Sequence, residues 1–400
     1  MALFEGLDDV AWHSLSHAYG PADDVPGLLR NLASDDANVR SEAMHALYGN
    51  IWHQGTVYEA TAFAVPFLLE LVQDESIAAR HETLVLLVHL AQGNSYLDAH
   101  QHLPTFDQLP MFDKESAEFK EQIAWELGWV QAAYMAVRDG LPIYRRLLEH
   151  PESDLRAAAA YTLSCLLDPA AFDGVVPVLL ARLESETDDG ARASLIHGLG
   201  LQVGVRMARD GSTSGEVLSY ADVVAEIVRS ETESDLVRLV AAMALATIAP
   251  ASPVHAKLAA DRLLAMLGDR SEEVAEGYRR LPWADEDVAG EVCGSLAELD
   301  QSVAGFSFIP AFLQALQAAD ALTALTIAQA LLHLAFRDGP DSWSADVQRL
   351  TEDQRAILEA LAQEDSPCWG FNGNMALMLR AYGLPDWPDK LQAMLAPRPS

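Results

Sequence analysis

The sequence predicts an all-α chain of about eight helical pairs with a cap at each end. Three observations carry that reading: a proline-to-arginine spacing that recurs, helix-capping residues at a constant offset, and apolar residues with a helical period.

Pro26 is followed fourteen residues later by Arg40, Pro66 by Arg80 and Pro142 by Arg156, while Pro177 precedes Arg192 by fifteen. Each arginine follows an apolar residue: Val39, Ala79, Leu155 and Ala191. The same ruler places Arg238 fourteen after Val224, Ala275 after Asp261 and Ala324 after Pro310. Seven units fit, the last three with substitutions at one or both ends. Chance rarely produces such a register.

Two helices fill each unit. After the proline, apolar residues fall at +2, +3 and +6, as in Leu28, Leu29 and Leu32 or Phe312, Leu313 and Leu316. That spacing lays them on one helical face. Proline is tolerated in a first helical turn, where its missing N–H loses no partner. Four residues before the arginine mark stand Asp36, Ser76, Glu152, Asp188, Ser234, Ser271 and Asp320. All but the glutamate are preferred N-cap types, so a second helix is expected to begin there. It then runs Val39, Ala43, Ala46, Leu47, Ile51 in one unit and Val237, Ala241, Ala244, Leu245, Ile248 in another. No sustained alternation suggests strands. Between the first two units, Gly55 is placed to close a helix and Thr56-Val57-Tyr58-Glu59 matches a capping box. The next helix is therefore expected from Val57, with Pro66 as an internal kink.

With these markers the chain resembles the HEAT-repeat family, including the shorter HEAT-like repeats of the phycobilisome-lyase type, over roughly residues 20–380. The resemblance implies an α-α superhelix, a right-handed armadillo-like solenoid in which each unit buries its apolar faces on its neighbours. It also implies that Arg40, Arg80, Arg156, Arg192 and Arg238 form a ladder, paired with acidic groups between successive units. On activity it is nearly silent, because this fold hosts scaffolds, inhibitors and some enzymes.

The period also shows what is not repeat. Residues 1–20, with Trp12, Leu15 and Tyr19, are read as an N-terminal cap, 21–350 as the repeat array and 351–400 as a C-terminal cap. From Arg80 to Arg156 is 76 residues, about twice the unit, which predicts one degenerate repeat. Its second helix is placed over Phe119–Val137, and its first is replaced by an insertion near 93–118. Further insertions are expected near 205–220 and 280–308, and such segments often carry binding in repeat arrays.

Composition limits the function classes. Half the residues are apolar, which excludes wholesale disorder. Lys plus Arg number 26 against 59 Asp plus Glu, a net charge of −33. A nucleic-acid partner is therefore not expected, since displacing counterions from phosphates needs a basic footprint. Cys165, Cys293 and Cys368 are far apart and form no Cys-x-x-Cys pair, which points to a reducing compartment rather than a disulfide framework. The start, MALFEGLDDVAW, has no basic region followed by an apolar one, so no secretory signal is visible. The longest apolar stretches, such as Leu239–Ala251, are too short to span a bilayer. A soluble cytoplasmic protein with no membrane partner is expected. Arginine outnumbering lysine and abundant alanine suggest a GC-rich bacterial genome.

Candidate chemistry is sparse. Eight of the twelve histidines fall in the first 102 residues. His13 and His17 have the spacing that lets two imidazoles on a helix share a metal, but no third ligand is fixed by spacing. His100-Gln101-His102 is a second weak pair. His81-Glu82 resembles one metal-holding pair of the HEAT-type iron hydroxylase of deoxyhypusine, a family that needs several, so neither metal nor cofactor is expected. The stretch from Asn50 to Tyr58 packs Trp52, His53, Gln54 and Tyr58 around a turn, and His53, Gln54 and Tyr58 are candidate binding residues. Trp125 and Trp129, with Tyr134 beyond, could form an aromatic platform of the kind HEAT-like DNA glycosylases use. Core packing is the expected role for the pair, because that family needs basic residues this chain lacks. Gly198-Leu-Gly200-Leu-Gln-Val-Gly204 has no strand before it, so a close helix contact is expected rather than a phosphate loop. No catalytic residues can be assigned.

The function these features favour is a non-enzymatic scaffold whose acidic surface binds a basic protein. Two alternatives are an inhibitor or immunity protein that neutralises a basic toxin or nuclease, and a HEAT-like enzyme acting on a small molecule or nucleoside.

Overall fold

The computed structural model describes residues 3–101, 114, 116–210, 215–248, 252–268, 271–284, 287–299, 307–337 and 350–396. The chain divides into two compact units, Met1–Gly198 and Leu199–Ser400. Among the described residues both are helical, apart from two hairpins of two-residue strands in the first.

The first unit opens not with a helix but with two 3-10 turns, Leu7–Asp9 and Trp12–Ser14, and the hairpin β1 (Ser16–His17) with β2 (Gly20–Pro21). His13 and His17 thus stand on a turn and a strand, and their expected helical pairing is lost. Helices α1 (Val25–Leu32) and α2 (Ala37–Asn50) follow, packed on each other. A second hairpin joins β3 (Trp52–His53) to β4 (Thr56–Val57), and α3 (Glu59–Gln73) and α4 (Arg80–Gln92) form the next pair.

Two expectations at this junction fail for one reason. Gly55 is left-handed, φ 90°, but it turns a hairpin rather than closing a helix. Gln54 shares that region at φ 50°, as two-residue hairpin turns require. Strand pairing then uses the residues that a capping box at Thr56 would need. The Val57 amide donates to Asn94 O at 3.1 Å, and the Asn94 amide to Gly55 O at 2.8 Å. The helix starts two residues later than Val57, where Thr61 Oγ1 accepts from the Tyr58 amide at 2.9 Å and donates to Ile51 O at 2.6 Å. Pro66 lies inside α3 as expected.

The caps of the second helices follow the offset with two exceptions. Asp36, Asp188, Ser234, Ser271 and Asp320 each accept an amide of the first turn. Glu152 caps without a side-chain bond. Ser76 does not cap at all: its amide and hydroxyl donate to Asp74, and α4 begins after Ala79 in a left-handed conformation, φ 55°.

The doubled spacing between Arg80 and Arg156 holds a short helix α5 (Tyr96–His100) and a long helix α6 (Ala117–Asp139). After α7 (Leu141–Leu147), helix α8 (Ser153–Ser164) packs directly on α4. Helix α6 is therefore not a second helix stacked between them, as a degenerate repeat would require; it lies against α3 and α4. Helices α9 (Pro169–Leu183, with Pro177 inside) and α10 (Asp189–Asp210) complete the series, and the division into units falls within α10.

The five arginines at the mark share one kind of contact, with backbone carbonyls in the last turn of the preceding helix or in the loop just after it. Arg40 donates to Ser34 O and Asp35 O, Arg80 to Val72 O, Arg156 to His150 O and Pro151 O, Arg192 to Leu183 O and Arg238 to Val228 O. At Val72, Leu183 and Val228 the carbonyl lies in the last helical turn, where it has no partner within its own helix and a cation also meets the negative end of the dipole. Carboxylates of the following unit are a second contact, at Arg156 with Glu186 (2.7 Å) and loosely at Arg80 with Glu152 (3.9 Å). The Glu186 side chain is 1% exposed. Burial alone would raise its pKa, but the Arg156 and Arg182 guanidinium groups and the Asp188 amide outweigh it and bring it down to about 2 from an ordinary 4.5. The group therefore adds stability above pH 4.5, and that contribution disappears as pH falls towards 2. Urea midpoints measured down this range should drop less steeply in Glu186→Gln than in the parent; equal slopes would show that Glu186 is not the group responsible.

In the second unit, α11 (Gly215–Arg229) pairs with α12 (Asp235–Ile248), on which α13 (Pro253–Gly268) packs. The expected insertion 205–220 is largely helix, the end of α10 and the start of α11, with 211–214 outside the described residues. The expected insertion 280–308 also contains core. After α14 (Glu272–Arg279), helix α15 (Val288–Ala297) buries Val292 and Cys293 completely and packs on α17 (Ala321–Phe336), the partner of α16 (Ile309–Gln317). The cap consists of α18 (Glu352–Leu361), a 3-10 segment Pro367–Phe371 packed on α17, α19 (Asn372–Ala381) and α20 (Pro388–Leu395). All five positions read as the inner face of α12, from Val237 to Ile248, are buried. The Val237, Leu245 and Ile248 side chains each stabilise by about 1.5–3 kcal/mol when fully buried, and the two alanines let the facing helices approach.

Candidate functional site

The candidate site is in the first unit, where the second hairpin brings together residues from distant parts of the chain. Tyr19 reaches His53, with its hydroxyl 3.5 Å from Nδ1 and the rings edge-on at 5.4 Å. On the other side of the strand, Tyr48, Trp52 and His89 form a second group, with the Tyr48 hydroxyl 2.9 Å from His89 Nδ1 and all ring centroids within 5.7 Å. Thr56 Oγ1 donates to His53 O at 2.8 Å and lies 2.9 Å from the Tyr58 hydroxyl.

Below the hairpin, the segment after α4 runs alongside β4, because Thr56 bridges to Asn94. The backbones approach so closely that a Cβ on Gly93 would lie 2.2 Å from Val57 Cγ1. This places Ser95 and Leu97 over α6, where both donate to Glu126 Oε2, the hydroxyl at 2.7 Å and the amide at 2.9 Å. Glu126 is buried, with 6% exposure. Tyr96 stacks on His100 with ring centroids 4.4 Å apart. Burial is the first cause of a raised pKa at Tyr58, opposed by the Thr56 hydrogen bond and reinforced by Glu126, Tyr19 and Tyr96. These residues therefore share one electrostatic neighbourhood.

Of the candidates read from the sequence, His53 and Tyr58 belong to this cluster, and Gln54 is an exposed turn residue beside it. The tryptophans depart from expectation. Trp125 is 61% exposed and so is not core, while Trp129 is half-buried. Tyr48, His89, Tyr96 and Glu126 were not singled out by sequence. Glu126 adjoins Trp125, but nothing distinguishes it there from the other acids; only the tertiary bonds do. His102 lies outside the described residues. No group of three or more His, Cys, Asp or Glu that could hold a metal occurs among the described residues, and none of the described helices is long and apolar enough to cross a membrane.

Comparison with known proteins addresses the architecture. Residues 109–200 match the family model of HEAT repeats. That segment of the chain is similar to HEAT repeats. Among solved structures, UNC-45 from Drosophila melanogaster is similar at 13% identity, with a TM-score of 0.27. That match covers 90% of this chain and 66% of the other, so the chain spans about two thirds of UNC-45. No curated protein matches it in sequence. The matched segment takes in α6 to α9 and most of α10, including Arg156, Arg192 and the Glu186 carboxylate between them.

Proposed function

We propose that this protein is a cytoplasmic HEAT-repeat scaffold that binds a basic protein partner. The observation that carries the reading is the excess of 59 acidic over 26 basic residues. Some of the basic residues are also engaged within the fold. Arg80, Arg156, Arg182 and Arg262 have side chains at most 18% exposed, and each meets a carboxylate. Four of the 26 positive charges are thus committed to internal pairing, while acids such as Asp8, Glu226 and Glu272, each paired with a surface arginine, stay at least 77% exposed. Such a surface steers a cationic partner and repels a polyanion. Three buried free cysteines suit a reducing compartment.

An oligoarginine peptide is the simplest probe. It should bind at low salt and lose about tenfold or more in affinity at physiological ionic strength, where screening acts over roughly 8 Å. Oligoglutamate should not bind. A salt-independent affinity for oligoarginine would remove the electrostatic basis of the proposal.

A further inference from the structure

The second hairpin, the segment after α4 and helix α6 meet at a carboxylate with no counter-charge among the described residues. Glu126 receives two neutral donors, Ser95 and Leu97, and both bond to Oε2. Oε1 accepts no hydrogen bond from the described residues, and no cation among them pairs with Glu126. The residue is mostly buried, two neutral bonds offset only part of the cost of that burial, and Oε1 keeps access to solvent, where a cation can reach it.

Aromatic rings accompany the acid. Tyr96 immediately follows Ser95, one of the two donors, and is 45% exposed; Tyr19 is 70% exposed. Tyr58 is half-buried, its hydroxyl held by Thr56, and it senses Glu126, Tyr19 and Tyr96 together. Aromatic faces attract cations, most strongly where water is partly excluded. A planar guanidinium suits such a place better than an ammonium, because it stacks on a ring while its N–H groups reach a carboxylate oxygen.

We propose that Glu126, Tyr58 and Tyr96 form a receptor for one arginine side chain of the basic partner, the guanidinium meeting Glu126 Oε1 beside the two tyrosine rings. The inference rests on the basic-partner reading and goes beyond it by naming the contact.

Two probes separate the two statements. N-acetylarginine amide carries a single guanidinium and tests the receptor, whereas oligoarginine tests the acidic surface as a whole. The single-arginine probe, titrated by NMR, should bind the parent and lose about tenfold in affinity in Glu126→Gln, in keeping with loss of a charge pair at a partly desolvated site. Tyr96→Ala should weaken it several-fold, and Glu231→Gln, an exposed acid of the second unit, should leave it unchanged. If Glu126→Gln fails to fold, Tyr96→Ala decides, since its ring is largely at the surface. Parent-like binding in Tyr96→Ala and in a folded Glu126→Gln overturns the receptor. Oligoarginine binding with no response to the single-arginine probe also overturns the receptor while keeping the acidic-scaffold reading. If oligoarginine does not bind at low salt, that reading falls and takes the receptor with it.

Discussion

Gly200→Val should destabilise the second unit by about 3 kcal/mol, the upper part of the range for forcing atoms into a packed core. In α10, Gly200 faces α12 at a distance that admits no side chain. A Cβ there would lie 2.7 Å from Ala244 Cβ and 3.0 Å from Ala244 Cα. One of those atoms is backbone, so no rotamer change relieves the clash and the helices must part. Gly204 repeats the contact one turn on, with a Cβ position 2.6 Å from Thr247 Cγ2. Parting the helices would loosen the face around Ala241, Ala244 and Leu245, which is buried throughout. Gly128 in α6 provides the control. An added Cβ there meets nothing within 4 Å, and Gly128→Ala should raise stability by up to about 1 kcal/mol through helix propensity alone. Urea denaturation of the three proteins tests both signs. A Gly200→Val variant with the parent's midpoint would mean that α10 and α12 are not packed this closely.

That stripe of glycines illustrates what a sequence can disclose. Its spacing excludes a phosphate loop, because no strand precedes it, and leaves a close helix contact, which is what α10 makes. The capping offset was legible at Asp36 and Asp320 for a similar reason: an N-cap is a local bond between residues three or fewer apart. Where sequence reasoning failed, distant residues compete for the same local groups. Thr56 could have capped a helix, but its strand pairs with Trp52–His53 and bridges to Asn94. Helix α6 has the length and period of a repeat helix, and only the direct packing of α8 on α4 shows that it stands outside the second-helix stack. The candidate site divides in the same way. His53 and Tyr58 were visible because they crowd one turn. Glu126 became significant only when Ser95 and Leu97 closed over it from another part of the chain.

Glu186→Ala should be the most damaging change in the first unit, with an expected loss of about 3–5 kcal/mol, the usual cost of removing one partner from a buried ion pair. Glu186 holds five donors. Arg156 reaches its two oxygens at 2.7 and 2.9 Å, Arg182 reaches one at 2.9 Å, and the Thr187 and Asp188 amides each donate at 2.9 Å. Without the carboxylate, two guanidinium groups at most 16% exposed are left facing each other across the gap with no acid between them. Their repulsion acts between the α7–α8 loop, whose His150 and Pro151 carbonyls Arg156 also holds, and the end of α9, which carries Arg182. Arg156→Ala should cost less, since Arg182 and both amides still serve the carboxylate. Because the two side chains work as one group, the double variant Arg156→Ala/Glu186→Ala should be less unstable than the sum of the singles, with a coupling above 1 kcal/mol, within the roughly 0.5–3 kcal/mol seen for residues in contact. Additive losses in a urea-denaturation cycle would refute the coupling and reduce Glu186 to a cap on its own loop.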